Sequence, residues 1–516
     1  MTPGPNRFIS QQRSWGTVWL AGAAGFAFFW VVARAAIQSI TIDEADGYLF
    51  YAWRANPSHW EASSVNHLLN SLLMRLFTGL FGLSAVTVRM PSLAGAAIYI
   101  AAAYRLSRLV SREWILELPL FACLVYNPFV MDHLVAGRGY SLAIACLLAA
   151  IALAAGATAP DTAPLAQPYR TCCWCSLLLA FSFCASFSFA VADAVALAFI
   201  FVWLARRGGT RYLPLLASCI LPGLLLTAFL AGSILADWRH ISLAWGASTL
   251  GETARSVIES SYYEPNPYLL SPPVYRFAVY RHWLLFPLLG AACLAHLISV
   301  WRGWPVRQNQ ASRWLAGWGL SAAGILAAAL AIHRVMYGLG HILMPLGRRA
   351  VFLAPLSMLA IGALLALRAA GRPAAWMRGA ALAMLWVTAA YFVCCLRLTY
   401  FMEWKYNADA RDLYSVVAYY NHTYGVRDIS SNWRYVAVLN FYRIHSGREN
   451  LEEIPGGPVE VAAFPPGKPL YVLHYASDAP FIDREKLKIV YHSQVTDATV
   501  AIRPEIERVA CRAAGT

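Results

Sequence analysis

The sequence alternates between long apolar segments and short polar ones from about residue 15 to residue 397. An apolar segment of about 20 residues is long enough to cross the hydrocarbon core of a bilayer as an α-helix. The pattern therefore predicts a polytopic α-helical membrane protein with about eleven transmembrane helices. The predicted helices lie at about 15–38, 87–106, 114–133, 139–157, 172–188, 190–205, 212–235, 282–301, 314–333, 347–367 and 379–397.

A shorter apolar pattern between the first two predicted helices indicates a helix of another kind. From Asn66 to Phe77, the apolar residues at 68, 69, 72, 73, 76 and 77 fall on one helical face. The polar residues His67, Asn70 and Arg75 make a short spanning helix the weaker alternative. This stretch is therefore predicted to lie in the membrane interface.

The composition changes after about residue 400, where all four lysines of the chain are found. One helical pattern and three β-rich runs, separated by Pro/Gly turns, follow at 409–420, 469–475, 488–492 and 499–502. Residues 1–398 are therefore predicted to form the transmembrane domain, and residues 399–516 a small soluble α/β domain.

Arginine predicts the orientation of the helices. Arg7 and Arg13 precede the first helix, and arginines recur at every second helix end after it. Because cytoplasmic loops carry an excess of Lys and Arg, we expect a cytoplasmic N-terminus and a periplasmic or extracytoplasmic C-terminal domain. Loops 39–86 and 236–281 then lie on the outer face of a bacterial-type inner (plasma) membrane. A cleaved signal peptide is the alternative for the first helix.

Composition supports this class and excludes others. The chain is 59% hydrophobic and has a mean hydropathy of +0.50, values that do not fit a soluble protein. The net charge of +14 is explained by arginines in the cytoplasmic loops, so a nucleic-acid partner is not expected. Because only 13% of the residues are charged, charged clusters on the predicted outer face need a separate explanation.

The first such cluster consists of Asp43, Glu44 and Asp46, directly after the first predicted helix. Carboxylates are costly in hydrocarbon and tolerated at its edge. A solvated loop that ends the helix is the structural alternative. The functional interpretation is that a carboxylate here activates an acceptor hydroxyl as a general base.

The second cluster consists of arginines on the predicted outer face. Arg138 lies between the third and fourth helices, and Arg348 and Arg349 begin the tenth. Guanidinium groups suit bidentate contacts to phosphate, so these residues suggest a site from which a phosphate leaves. The alternative is that such arginines reach lipid headgroups, and this applies most of all to Arg89.

Other residues of the predicted outer loops are candidates for substrate contacts. An acid and a histidine at the end of the third helix could form a second acid/base pair or simply a hydrated helix end. Residues 261–268 are rich in aromatic residues and proline, which suit either a lid that faces a sugar or an interfacial belt. The candidates are His67, Asp132, His133, Tyr262, Tyr263, Glu264 and His341.

The order of several motifs resembles the GT-C membrane glycosyltransferases, in particular the protein O-mannosyltransferase and lipid A aminoarabinose transferase group. The resemblance covers residues 40–145 and extends in topology to about residue 400. It is carried by Asp43-Glu44-Ala45, by the interfacial helix with His67, by Val88-Arg89-Met90-Pro91-Ser92-Leu93, by Tyr126-Asn127-Pro128 and by Ala136-Gly137-Arg138-Gly139-Tyr140.

The resemblance implies transfer of a sugar, with inversion, from a polyprenyl-phosphate donor to a glycan, lipid or protein acceptor at the outer face. Asp43 would then be the general base or orient the acceptor, and Glu44 would be its neighbour in the motif. Relatives often have proline after the histidine, whereas Leu68 follows His67 here, so that histidine could equally contact the acceptor or a headgroup. Asp43 and Glu44 would also allow a divalent cation, which a monophosphate donor does not require.

A transporter or flippase of a lipid-linked or polar solute is the alternative function. Such a protein is expected to carry inverted repeats and charged residues at mid-membrane depth. The sequence shows no repeat of fixed period, and its charges gather on one side of the membrane rather than at mid-depth. This pattern favours an enzyme that works at the outer face.

Overall fold

The computed structural model describes residues 5–53, 60, 66–160, 168–206, 211–236, 246–303, 310–447, 450–456 and 464–507. Parts of the two predicted outer loops, at 54–59, 61–65 and 237–245, lie outside the described residues. The α-helices are α1 Pro5–Ile37, α2 Ile42–Asp46, α3 Leu68–Phe81, α4 Ala85–Val110, α5 Trp114–Val125, α6 Pro128–Val135, α7 Tyr140–Thr158, α8 Pro168–Ala185, α9 Ala190–Arg206, α10 Tyr212–Ala236, α11 Leu250–Ser261, α12 Pro272–Arg281, α13 Leu285–Gly303, α14 Gln310–Gly340, α15 Leu353–Ala366, α16 Arg372–Cys394, α17 Ala410–Tyr424, α18 Trp433–His445 and α19 Tyr475–Arg484.

The prediction of a multi-pass helical membrane protein is confirmed. Within the described residues, nine segments are long and apolar enough to cross a membrane. They are Gly16–Ile37, Ala85–Val110, Tyr140–Thr158, Phe187–Arg206, Tyr212–Ala236, Pro272–Arg302, Gln310–Gly340, Gly347–Ala366 and Arg372–Cys394. A bent pair, α5 with α6, makes a tenth, and α8 occupies the place of the remaining predicted helix.

The third predicted helix differs from the expectation of one continuous segment over 114–133. It is broken between α5 and α6, which meet at an angle of 54°. Pro128 lacks a backbone donor and disfavours helical geometry at the residue before it. That residue, Asn127, instead caps α6 by accepting hydrogen bonds from the backbone nitrogens of Phe129 and Val130 at 3.0 and 3.4 Å.

The chain divides into two compact units. The first comprises Met1–Ala33, Glu61–Asn70 and Pro91–Arg397, and the second comprises Arg34–Trp60, Ser71–Met90 and Leu398–Thr516. In the first unit, α8 packs between α7 and α10, and α14 packs against α15 and α9. The domain boundary predicted at residue 398 stays a prediction.

The second unit contains the α/β fold predicted for the C-terminal region. Its four-stranded sheet has the order β1-β2-β4-β3, in which β1 and β2 are parallel and the other neighbours antiparallel. The strands are β1 Ile429–Ser431, β2 Leu470–His474, β3 Lys488–His492 and β4 Ala498–Ile502. The hydrophobic core of this unit also includes Ile40, Ala45 and Tyr48, so the segment after α1 is built into the same core.

The predicted interfacial helix exists as α3, one turn longer at its C-terminal end than the pattern indicated. Leu80 and Phe81 at that end are about two-thirds exposed. Its placement in the membrane interface stays a prediction.

Candidate active site

A buried arginine fixes the acid segment (Thr41–Asp46) of the second unit. Arg89 donates from Nε and Nη2 to the two carboxylate oxygens of Glu44, at 2.7 and 2.8 Å. Its remaining N–H groups bond the carbonyl oxygens of Ala35, Gln38 and Ser39 at 2.7 to 2.9 Å. These carbonyls belong to the end of α1 and the residues just after it, where helical partners run out. All five donors of the guanidinium are thus used to join this end to Glu44.

The finding corrects the expectation that Arg89 reaches lipid headgroups. Its side chain is fully buried, as is that of Glu44. The sequence signal for an internal partner was an arginine, against the positive-inside pattern, at the start of a span that is predicted to begin on the outer face.

Glu44 also caps the N-terminal end of the short helix α2. Its Oε2 accepts from the backbone nitrogen of Thr41 at 2.8 Å, and the Thr41 hydroxyl accepts from the backbone nitrogen of Glu44 at 3.3 Å. This reciprocal pair is a capping box. Asn407 adds a third contact by accepting from the backbone nitrogen of Ile42 at 2.8 Å. The backbone that carries Asp43 is therefore held on both sides.

Asp43 itself is half-buried and is held by a tryptophan that sequence reasoning missed. Trp404 donates its indole N–H to Oδ2 of Asp43 at 2.9 Å. Trp404 is buried, and its ring meets that of Phe401 edge-on. In the sequence, this contact is signalled only by the aromatic residues Tyr400, Phe401 and Trp404 that follow the last span.

The ring of Phe401 makes cation–π contacts with two buried arginines. The guanidinium carbons of Arg34 and Arg89 are 4.9 and 5.3 Å from its centroid. Arg34 also donates from Nη2 to the carbonyl oxygen of Tyr400 at 3.2 Å. Cation–π contacts are stronger away from water, so these contacts help to fix Phe401, and Trp404 packed against it, next to the acid segment.

The first unit contains the arginine cluster (Arg138, Arg348 and Arg349). Arg138 lies in the turn between α6 and α7 and is 1% exposed. Two side chains hold that turn through its carbonyl oxygens: Ser92 donates to Ala136 at 2.6 Å, and Asn70 donates to Gly137 at 3.1 Å. The cluster therefore has a fixed backbone under its most buried member.

Tyr140 connects the cluster to two of the predicted histidines. Its hydroxyl bonds Arg349, whose charge also interacts with those of Arg138 and Arg348. The rings of His67 and His133 approach the Tyr140 ring edge-on, at centroid distances of 4.8 and 5.3 Å.

The backbone at the start of α7 requires glycine. A Cβ on Gly139 would lie 1.8 Å from the carbonyl oxygen of Ala185 and 2.8 Å from Nδ1 of His67. The same imidazole nitrogen is hydrogen-bonded to that carbonyl at 3.0 Å. Gly139 thus allows His67 to approach the cluster, which gives a structural reason for the sequence Gly-Arg-Gly-Tyr.

The remaining candidates have separate environments. Asp132 and His133 are both buried in α6, and His133 Nδ1 bonds the Phe129 carbonyl at 2.8 Å. His341, with a φ of 51°, is exposed just after α14 and stacks edge-on with Tyr337. His67 and His133 thus both contact Tyr140 beside the arginine cluster. The ring contact of His341 is with Tyr337 instead.

The aromatic loop packs inward in this structure. Tyr262 is buried against Phe392 of α16, with ring centroids 5.2 Å apart. Tyr263 is also buried, and its carbonyl oxygen accepts from the Tyr391 hydroxyl at 2.6 Å. Glu264 is exposed and accepts a hydrogen bond from Tyr275. The substrate-facing role predicted for this loop stays a prediction.

The donor set of the acid segment does not fit a divalent cation well. Both oxygens of Glu44 accept hydrogen bonds from Arg89, and Oε2 also accepts from the Thr41 backbone, so most of the acceptor capacity of this carboxylate is already used. Among the described residues, no group of three or more His, Cys, Asp or Glu side chains is arranged to hold a metal ion.

No protein-family model and no curated protein sequence matches the chain. Among solved structures, it is similar to ArnT from Cupriavidus metallidurans bound to undecaprenyl phosphate, with 12% identity over 95% of this chain and 98% of that chain and a TM-score of 0.40. The apo state of that protein gives 12% identity, coverage of 94% and 97%, and a TM-score of 0.39.

The arabinofuranosyltransferase AftD from Mycobacteria is also similar, with 16% identity over 94% of this chain and 40% of that chain and a TM-score of 0.46. With TM-scores below 0.5, these similarities support no residue assignment. The roles of individual residues rest on the contacts within the chain itself.

Proposed function

We propose that the protein is an integral-membrane glycosyltransferase that moves a sugar, with inversion, from a polyprenyl-phosphate donor to an acceptor hydroxyl. The observation that carries the proposal is the support of Asp43. A half-buried carboxylate is oriented by Trp404, while its neighbour Glu44 is locked to Arg89. A loop that only ends a helix would not require buried partners such as Trp404 and Arg89 to orient a half-buried carboxylate.

In the proposed reaction Asp43 is the general base. It takes the proton of the acceptor hydroxyl while the acceptor oxygen attacks the anomeric carbon of the sugar. The bond from that carbon to the phosphate oxygen breaks on the opposite side, and its electron pair leaves with the phosphate. A positioned general base typically contributes about 10²- to 10⁴-fold to such a step.

Glu44 is proposed as a positioning residue. Its two oxygens accept from Arg89 and from the Thr41 backbone, so it holds the short helix rather than a proton of the substrate. The sequence suggested a catalytic role for Glu44, and the proposal replaces it with the role of orienting Asp43.

The arginine cluster is proposed to bind the donor phosphate. Arg349 bonds Tyr140 and is close enough to Arg138 for their charges to interact, in a partly desolvated setting where a guanidinium stabilises developing negative charge more than it would in water. Like charges so close repel each other, and a bound phosphate would relieve that repulsion. The acceptor is proposed to be a glycan, lipid or protein hydroxyl on the outer face of a bacterial-type inner membrane.

The test is a transfer assay with the purified full-length protein and a set of polyprenyl-phosphate sugars. Asp43→Asn removes the base and keeps the shape of the side chain, so we expect kcat to fall by about 10²-fold or more. Asp46→Asn is the matched control, because it makes the same change three residues along in the same short helix. It is expected to keep most of the activity.

Equal transfer by a stably folded Asp43→Asn variant would remove Asp43 from the mechanism. If wild type transfers no sugar from any polyprenyl-phosphate donor, a transporter or flippase becomes the better hypothesis. Flux of a labelled lipid-linked sugar across proteoliposomes then decides between the two.

A further inference from the structure

A second basic site lies in the first unit, in a cleft that the proposed reaction does not use. Arg105, Arg108 and Arg112 line it from the end of α4 and the residues after it, facing Glu117 of α5. The cleft has a volume of about 530 Å³. Arg105 and Arg108 are three residues apart on one face of α4, and Arg112 lines the same cleft from the residues after the helix.

The charged side chains that line this basic cleft (Arg105, Arg108, Arg112 and Glu117) are mostly positive. Arg108 is committed to the wall, with Nε 3.4 Å from Oε1 of Glu117 and Nη1 donating to the Tyr104 hydroxyl at 3.2 Å. Arg105 and Arg112 are exposed, so the lining presents three guanidinium groups and one carboxylate. The cleft is therefore suited to an anion.

The cleft and the arginine cluster lie at opposite ends of one spanning helix. Arg105 packs on the last turn of α7, where a Cβ on Gly156 would lie 2.3 Å from its Nη2. Tyr140, which bonds Arg349 of the cluster, begins the same helix. With 19 residues at about 1.5 Å each, the two ends are about 28 Å apart. The cleft therefore opens at the other membrane face.

Exposed tryptophans show the depth of the cleft in the bilayer. Trp114 follows Arg112 by two residues and is 51% exposed, and Trp19 follows the lining residue Thr17 by two and is 65% exposed. Tryptophan is enriched at the level of lipid headgroups. Lipid phosphates lie at this depth, so a headgroup phosphate can reach the cleft.

We propose that the basic cleft binds the phosphate headgroup of an anionic membrane lipid at the face opposite the arginine cluster. Arg105 and Arg112 make the phosphate contacts, and the Arg108–Glu117 pair shapes the wall between them. This inference is independent of the glycosyltransferase proposal, since it involves neither Asp43 nor the cluster.

The test is native mass spectrometry of the purified full-length protein titrated with phosphatidylglycerol. We expect Arg105→Gln with Arg112→Gln to weaken binding by roughly tenfold to thirtyfold, because each arginine near an anionic headgroup contributes separately. Arg302→Gln with Arg372→Gln, two exposed arginines outside the cleft, is the matched control and is expected to bind as wild type. Phosphatidylcholine is expected to bind weakly to all three proteins.

Competition with inorganic phosphate separates the lipid from the free ion. Displacement of phosphatidylglycerol by millimolar phosphate would support a site that binds the phosphate group of the lipid. Binding of inorganic phosphate that depends on Arg105 and Arg112, with no selective binding of phosphatidylglycerol, would overturn the lipid assignment, as would equal lipid binding by all three proteins. If the double variant is unstable, either single variant must show an intermediate loss.

Discussion

Arg89 and Glu44 form an ion pair in which neither side chain has solvent-exposed surface. The remaining N–H groups of Arg89 donate to backbone carbonyl oxygens at and just after the end of α1. A buried pair of this kind adds little stability compared with an apolar pair of the same shape. Removing one partner, however, leaves an uncompensated charge in the interior. The pair is therefore better suited to fixing the path of the acid segment than to stabilising the fold.

The first prediction concerns this pair. Glu44→Gln leaves the Arg89 charge uncompensated, so the free energy of unfolding should fall by about 3–5 kcal/mol. Thermal unfolding of the purified protein measures this as a lowered midpoint. Arg75→Gln, at an exposed position of α3, should change stability by no more than about 0.5 kcal/mol. Full stability of Glu44→Gln together with complete loss of transfer would make Glu44 catalytic instead.

The second prediction separates positioning from catalysis at Trp404. Trp404→Phe removes the N–H that holds Oδ2 of Asp43 and keeps an aromatic ring in the site. We expect kcat to fall by about tenfold with KM for the acceptor nearly unchanged, because a misplaced base affects the chemical step more than binding. Trp433→Phe, at the first residue of α18, controls for the loss of an indole in the same unit. Equal kinetics for the two variants would contradict the proposed role.

The third prediction concerns the donor. Tyr140→Phe removes the hydroxyl that bonds Arg349, and Arg349→Gln removes the charge itself. Both variants should raise KM for the polyprenyl-phosphate sugar, Arg349→Gln by about tenfold or more, since charge-assisted contacts to phosphate are strong. Arg334→Gln, exposed on α14, is the control and should leave KM unchanged. A change confined to the KM of the acceptor would argue against phosphate binding by the cluster.

The fourth prediction is a pH dependence of stability in the second unit. Burial lowers the pKa of His474 from its usual value of 6.5, and the charge of Arg434 lowers it further. A histidine with a lowered folded pKa contributes stability that is present above about pH 6.5 and lost as the pH falls through the folded value. The thermal midpoint should therefore drop between pH 7.5 and 5.

The control for this effect is a second histidine of the same unit. His474→Gln should flatten the pH dependence, whereas His422→Gln, exposed on α17, should leave it as in wild type. An identical slope for wild type and His474→Gln would assign the pH dependence to other groups.

Local sequence patterns predicted several elements of the second unit. The runs at 488–492 and 499–502 correspond to β3 and β4, and the helical pattern at 409–420 corresponds to α17. The helix α18 was missed because its residues from Ala437 to Tyr442 are buried on all sides, so no amphipathic period remains to be seen. The strand β1 has three residues, too few to show alternation.

The contacts that define the candidate site could not be read from any local pattern. Arg89 meets Glu44 across 45 positions, and Trp404 meets Asp43 across 361. The sequence predicted the acids and arginines because charge is unusual next to apolar segments. Which side chain each of them contacts depends on tertiary packing, and this separated Glu44, which pairs with Arg89, from Asp43, which accepts from Trp404.

The long separation between Asp43 and its supports has a consequence for biosynthesis. The acid segment is synthesised early, while Trp404 and Asn407 follow 361 and 365 positions after their partners. At about 5–20 residues per second, that interval is roughly 20 to 70 seconds of translation. A nascent chain interrupted at the end of α16 contains every spanning helix described above and still lacks both residues. Asp43 can therefore be oriented only after the last helix has been made and Trp404 and Asn407 have packed against the acid segment, which couples the proposed activity to synthesis of the residues that follow α16.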